Sequence, residues 1–447
     1  MSLLLALPVA FFIRRTDIYA KNVLEWLYLL PVFIPPYVFA LIWENMFPGS
    51  FLFSGLCGSV LVLGFSLFPF ATLLLISGLD SVDSSLEEAG RITHSNFNVL
   101  KKITLPLLKP YVLSAWTLCF VLSMANYGVP SIMGYNVYTV DIFITFSAFF
   151  DHARASLLCI PLVAITITIV LFQARIMKHR SYVSISSSYR ETELYSLEKW
   201  RGFISFVVIG SLVFLFFVPV GKLLANAGGL DAYKTALKTS YMEIGTTLFL
   251  SVSAATLCVV FSFFMAYVIE KTSSKISTFA DVISLLPLAM PPTIIGLGLI
   301  LLWNTPLTGF IYGSSLILLI AYISTASPFA IRILCSNLKQ VSPHIEEAVS
   351  LMRVNYFSGL RKIILPLIAP GLKAAWAISF ILCMRELGAT LLVMPPGKET
   401  IPVKIYTLMH YGAHRLVASL SIILILLTII PIVLVRYVFF KTGNKKI

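Results

Sequence analysis

Apolar residues run through this chain in blocks of about twenty, long enough as helices to cross the ~30 Å hydrocarbon core of a bilayer. Such blocks cover 24–46, 55–79, 111–133, 156–176, 203–225, 245–269, 278–303, 309–334, 371–394 and 417–440. Some contain Gly or Pro, which membrane helices tolerate because neighbours re-satisfy the freed backbone groups. The block 2–13 is apolar too, but a helix of that length reaches only ~18 Å. It has no basic segment before it and no small-residue cleavage site after it, so it does not read as a secretory leader. Most blocks are joined by short polar loops. Residues 80–110 and 335–370 are far longer than a turn between helices needs.

Composition agrees with the pattern. Hydrophobic residues make up 58% of the 447 and charged residues only 12%, with mean hydropathy +0.92. A soluble chain is about a quarter charged. The reading is therefore an all-α, polytopic membrane protein whose solvent is the lipid bilayer. The net charge of +13 would suit nucleic acid if it formed one surface, but it is dispersed over short loops, and no nucleic-acid partner is expected. Basic residues gather in alternate loops: Arg14, Arg15 and Lys21; Arg91, Lys101, Lys102 and Lys109; Lys178 to Arg201; Lys271 and Lys275; Lys339, Arg353, Arg361 and Lys362; and Lys441, Lys445 and Lys446. The positive-inside rule puts these in the cytoplasm. The intervening loops become external, with Lys234, Lys238, Lys398, Lys404 and Arg415 as exceptions. Cys57, Cys119, Cys159, Cys258, Cys335 and Cys383 lie in or beside apolar blocks without a CxxC, and read as small hydrophobes.

The chain repeats itself. "KKITLPLLKP" (101–110) returns as "RKIILPLIAP" (361–370), "LLPVFIPP" (29–36) as "LLPLAMPP" (285–292), and "AFFIRRT" (10–16) as "AYVIEKT" (266–272). Trp116, Phe120, Met124 and Gly128 recur as Trp376, Phe380, Met384 and Gly388, and "VDIF" (140–143) as "VKIY" (403–406). Six apolar blocks separate the two ten-residue copies, and an even number makes the repeats parallel. Residues 1–176 form a first repeat, 177–201 a cytoplasmic linker and 202–447 a second repeat. Met1 corresponds to Leu257, so 202–256 has no partner, and the first repeat is expected to be incomplete at its N-terminus. The matching ~55 residues would then lie upstream, an expectation that the half-length block 2–13 supports.

Each long loop also opens alike, on "DSSLEEAG" (83–90) and "SPHIEEAV" (342–349). Asp83 or Ser84, and Ser342 before Pro343, are helix N-caps, and Ser84 with Glu87 fits a capping box. Glu87, Glu88, Glu346 and Glu347 then sit where the helix dipole favours negative charge. The Leu-Pro pairs, Leu105-Pro106 and Leu365-Pro366, are expected to stop the loop segment, since a residue before proline avoids the helical region. Two such capped helices on one cytoplasmic face suit a twofold docking partner.

"EEA…KITLP" and "EEA…KIILP" resemble the EAA loop of binding-protein-dependent ABC transporter permeases. The fused layout, together with "RELGATLLVMPPGKETIPVKIYTLMHYG" (385–412), resembles the ferric-iron uptake group of that family. The resemblance implies two parallel repeats of a MetI-like permease bundle with about 10–12 transmembrane helices. It implies a multi-pass protein of the bacterial inner membrane that binds two copies of a cytoplasmic ABC ATPase and receives solute from an external binding protein. The ATPase-coupling residues carried over are Glu87, Glu88, Ala89, Leu105 and Pro106, and Glu346, Glu347, Ala348, Leu365 and Pro366. Two departures stand out: the family's loop glycine falls on Thr93 and Arg353, and the first loop is one residue shorter. Reversal of Glu87 or Glu347 to lysine is expected to weaken ATPase assembly.

Arg385 and Glu386 lie near the outer end of their block, where charge usually faces a bundle interior or a water-filled cavity. Asn126 and Tyr127, in the matching stretch of the first repeat, complete a candidate pathway lining. Asp151, His152, His410 and His414 fall in matching external segments and read as loop residues near a docked binding protein, not as a metal site. The chain has no GxxxxGK[ST] phosphate loop: Lys222 is followed by Leu223 and Lys398 by Glu399. Nor does it carry HExxH or GxSxG. The expected function is a permease without chemistry or cofactor of its own, carrying a small solute, ferric iron first, with thiamine or a phosphonate open. A secondary transporter with parallel repeats is the alternative, but it would leave the paired loops unexplained.

Overall fold

The computed structural model describes residues 1–93, 95–178, 194–272, 275–341 and 359–443. The chain divides into two compact units, Met1–Ala225 and Asn226–Ile447. Among the described residues seven helices are long and apolar enough to cross a membrane, and three bent pairs would bring the number to ten.

The first unit contains α1 (Ser2–Arg15), α2 (Lys21–Leu27), α3 (Pro36–Met46), α4 (Gly55–Ser81), α5 (Ser84–Thr93), α6 (Asn96–Val99), α7 (Leu105–Met124), α8 (Gly128–Ile132), α9 (Tyr138–Ser147), α10 (His152–Lys178) and nearly all of α11 (Arg201–Ala227). Its core lies where α1, α4 and α7 pack together, through Ala6, Val9, Ala10 and Ile13, Phe68, Ala71 and Leu75, and Leu108 and Ala115. Val208, Leu212 and Leu215 of α11 join that core, and Phe214 packs 5.5 Å from the buried Trp43 ring. So α11, a block with no counterpart in the first repeat, packs in the first unit.

The second unit contains α12 (Leu230–Thr239), α13 (Tyr241–Lys271), α14 (Lys275–Ala289), α15 (Pro292–Trp303), α16 (Gly309–Tyr312), α17 (Ser315–Lys339), α18 (Leu365–Leu367), α19 (Ala369–Met384), α20 (Gly388–Val393), α21 (Ile401–His410) and α22 (His414–Gly443). Here α13 packs on α17 and α19, as α1 packs on α4 and α7.

Three of the expected spans need correcting. The blocks 24–46 and 278–303 are not straight helices. Each is a bent pair, Lys21–Phe33 with Pro36–Met46 at 90° and Lys275–Ala289 with Pro292–Trp303 at 107°. The Pro-Pro pairs cause the bend: Pro35 and Pro291 adopt extended ψ values of 141° and 143° before a proline. The block 371–394 also breaks, because α19 ends at Met384 and α20 begins at Gly388.

Some positions where the repeats differ in sequence are matched pairs in space. Arg14 sits 3.2 Å from Asp80 in the first unit, and at the same places in the second Glu270 sits 3.5 Å from Lys339, with the polarity inverted. At the crossing of α4 and α7, Gly78 leaves room for Tyr111: a Cβ on Gly78 would lie 2.5 Å from the Tyr111 ring. In the second unit the sizes are exchanged, and Gly371 of α19 makes room for Asn337 of α17.

Candidate functional site: the long loop of the first repeat and its anchorage

Helix α5 begins at the loop's acidic start. Asp83 caps it, its Oδ1 accepting from the Ser85 N–H at 2.9 Å. Glu87 does not form the expected capping box. It lies on the inner face of the helix, 1% exposed, where Oε1 accepts from the Thr104 hydroxyl at 2.6 Å. Its Oε2 lies 3.5 Å from Arg15 Nη1, and the Arg15 side chain is itself 3% exposed. Arg15 also donates to the carbonyls of Leu79 at 2.9 Å and Val82 at 3.4 Å, at the C-terminal end of α4. There a cation meets both unsatisfied carbonyls and the negative end of the helix dipole. Glu87 is thus an internal anchor and is turned away from any docking partner.

The outer face of α5 carries the surface. Leu86, Ala89 and Ile92 are exposed at helical spacing, and Phe97 of α6 is exposed too, while Glu88 is half-buried. Gly90 is the close-approach glycine of this loop: a Cβ there would meet Ile103 at 2.5 Å and Val99 at 3.2 Å.

The Leu-Pro pair does not stop the segment. Residues Leu100–Thr104 form a π-turn that runs straight into α7, and Leu105 is helical at φ −63° and ψ −41°. The widened turn accommodates Pro106, which has no N–H to give to the preceding turn. The second repeat has the same π-turn at Leu360–Ile364, leading into Leu365 and Pro366. There the helix bends by 59° after Leu367. Lys271, in the place of Arg15, donates to the Val341 carbonyl at 3.4 Å. Glu346, Glu347 and Ala348 lie outside the described residues.

The four candidate pathway residues lie just before α8 and α20. Asn126 Oδ1 accepts from the Val129 N–H at 2.9 Å, and Glu386 Oε1 accepts from the Ala389 N–H at 2.9 Å. Both are half-buried and bond the first turn of a short helix from the residue before its N-cap, at equivalent positions. Tyr127 is buried against Phe143, with ring centroids 4.6 Å apart, and Arg385 is half-buried beside Glu386. In the following segment Lys404 lies 2.9 Å from Glu243, a hydrogen bond that holds its pKa above the ordinary lysine value. Of the His and Asp residues expected in external segments, Asp151 caps α10 through the Arg154 N–H at 2.9 Å. His152 packs on Phe146 at 4.7 Å and His410 on Tyr406 at 4.8 Å.

Reading the sequence missed Arg15, Thr104 and Gly90 as parts of the site. Arg15 was within reach, because it falls inside the matched "AFFIRRT"/"AYVIEKT" pair. Thr104 was not: its counterpart is Ile364, so the repeat carries no sign of it.

Comparison with known proteins bears on the family. The family model described as "binding-protein-dependent transport system inner membrane component" matches twice, over residues 2–182 and 259–443. The chain is 26% identical to a Fe(3+)-transport system permease protein of Haemophilus influenzae, over 97% of this chain and 86% of the relative. It is 23% identical to the ferric transport system permease protein of Actinobacillus pleuropneumoniae, over 80% of this chain and 55% of the relative. A 2-aminoethylphosphonate transport system permease protein of Salmonella typhimurium is 30% identical over 40% of this chain and 68% of its own length. Against the Actinobacillus protein, then, the chain spans little more than half of the relative's length.

Proposed function

The chain belongs to the family of binding-protein-dependent transport system inner membrane components, and on that footing we infer that it is the membrane conduit of an ABC importer for ferric iron. An external binding protein delivers the solute, and two copies of a separate cytoplasmic ATPase supply the energy. The repeats 1–176 and 202–447 form the two halves, joined by 177–201, in a bacterial inner membrane. The observation that carries the reading is the cytoplasmic loop 83–106: an apolar outer stripe on a helix whose inner face is fixed to the membrane helices by a buried ion pair. Such a helix can take a push from a partner and pass it to the spans. Alternating access then follows as rigid-body rocking of the halves. Asn126, Tyr127, Arg385 and Glu386 are the proposed lining, because they lie where helices break near the external side.

Iron is favoured because the ferric relatives align over most of the chain, whereas the phosphonate relative aligns over less than half. Uptake of radioactive Fe(III) by cells with and without the gene tests this. Uptake is expected to fall on deletion, to return on complementation, and to stop with vanadate. Unchanged iron uptake with lost 2-aminoethylphosphonate uptake would replace the solute in this reading.

A further inference from the structure

The linker between the repeats reaches the site. Its described end, Leu194 onward, lies along the turn after α1: the Tyr195 N–H donates to the Arg15 carbonyl at 2.8 Å, and the Asp17 N–H to the Tyr195 carbonyl at 3.4 Å. The Leu197 N–H donates to Asp17 Oδ1 at 2.9 Å. The Tyr195 ring packs on the Phe11 ring, 5.8 Å away, and under the Arg91 guanidinium, whose carbon is 4.4 Å from its centroid. Arg91 belongs to the last turn of α5. Helix α5 is therefore held at two points one turn apart, Glu87 to the Arg15 side chain and Arg91 to Tyr195. Both grips converge on Arg15, the first through its guanidinium and the second through its backbone carbonyl.

We propose that Arg15 is a positioning residue that makes the coupling helix α5 and the membrane helix α1 move as one body, with Tyr195 of the inter-repeat linker as the second grip. The proposal rests on the permease reading. Through the Thr104 contact a push on α5 reaches α7. Through Arg15 it also reaches α1 and the end of α4, where the Leu79 and Val82 carbonyls accept. The pair is shielded from water, so removing one charge leaves the other buried without its partner, and the helix loses that grip. Lysine satisfies the carbonyl part of the role, since Lys271 does so in the second repeat.

The test compares Arg15→Gln, Glu87→Gln, Tyr195→Ala and Arg15→Lys with the native chain, assembled with its ATPase and binding protein in proteoliposomes and supplied with radioactive Fe(III). Arg15→Gln should still hydrolyse ATP but carry on the order of tenfold less iron per ATP, and Tyr195→Ala less strikingly so, while Arg15→Lys stays within about twofold of native. Hydrogen exchange in 84–93 should quicken about tenfold in Arg15→Gln while 105–124 is unchanged. Should Arg15→Gln fail to assemble, Glu87→Gln serves instead, because its amide oxygen keeps the Thr104 bond. An unchanged iron-to-ATP ratio with unchanged exchange overturns the proposal, as does an equal loss in Arg15→Lys. If the native assembly carries no iron, the transport reading fails, and exchange alone decides whether Arg15 holds α5.

Discussion

Replacing Ile92 with aspartate is expected to remove one ATPase from the complex and abolish uptake, while the chain stays folded in the membrane. Ile92 is 85% exposed on α5, beside Leu86 at 49% and Phe97 at 71%. Leu86 and Ile92 of α5 and Phe97 of the next helix are large apolar side chains that bury little against their own chain. An isolated exposed leucine needs no explanation, but a contiguous apolar patch marks an interaction site. Because Ile92 touches little of its own chain, a charge there costs the fold almost nothing. At the centre of an interface it would cost ~2 kcal/mol or more, about thirtyfold in affinity. Ile92→Val keeps the surface apolar and should keep the complex. The native mass of the purified assembly reads the outcome: two ATPases per native chain, one in Ile92→Asp. Two retained with full uptake would mean that this stripe is not the docking surface.

The second large effect is expected at the helix crossing. Gly78→Asn alone should destabilise the first unit, since a Cβ there already meets Tyr111 and Leu108 at 2.5 and 2.7 Å. Overpacking of this kind costs roughly 1–3 kcal/mol. Adding Tyr111→Gly should restore stability, because the double variant copies the second unit, where Asn337 fills the space left by Gly371 and donates to the Ile333 carbonyl at 2.9 Å. Leu74 would offer the matching carbonyl. Thermal unfolding in detergent should show a clear drop for the single change and recovery for the pair. A Gly78→Asn chain as stable as the native one would contradict the packing described here.

Those crossings show what could and could not be read from the residues. Apolar blocks and the duplication follow from composition and spacing, because lipid makes the same demand on every span. The proline bends were not read: the Pro-Pro pairs served only as part of the repeat, and hydropathy alone counted each block as one straight span. Paired substitutions were illegible. Arg14 against Glu270 and Asp80 against Lys339 look like two losses of likeness, and only space shows one ion pair with its charges exchanged. Glu87 illustrates the limit at the site itself. The dipole argument placed it correctly in the first turn of α5, but nothing local says which way a helix turns its face. Burial against Arg15 and Thr104, from segments 72 and 17 residues away in sequence, decides that. The expected effect of reversing Glu87 to lysine survives with a different cause: it would set a second cation against buried Arg15 and undo the loop from inside.

ATP hydrolysis by the purified chain, with and without its partner ATPase, tests the central claim most directly. None is expected from the chain alone in lipid; hydrolysis should appear with the ATPase and rise with solute-loaded binding protein. Hydrolysis by the chain alone, carried by the same chromatographic peak, would contradict a conduit driven from outside through its cytoplasmic loops.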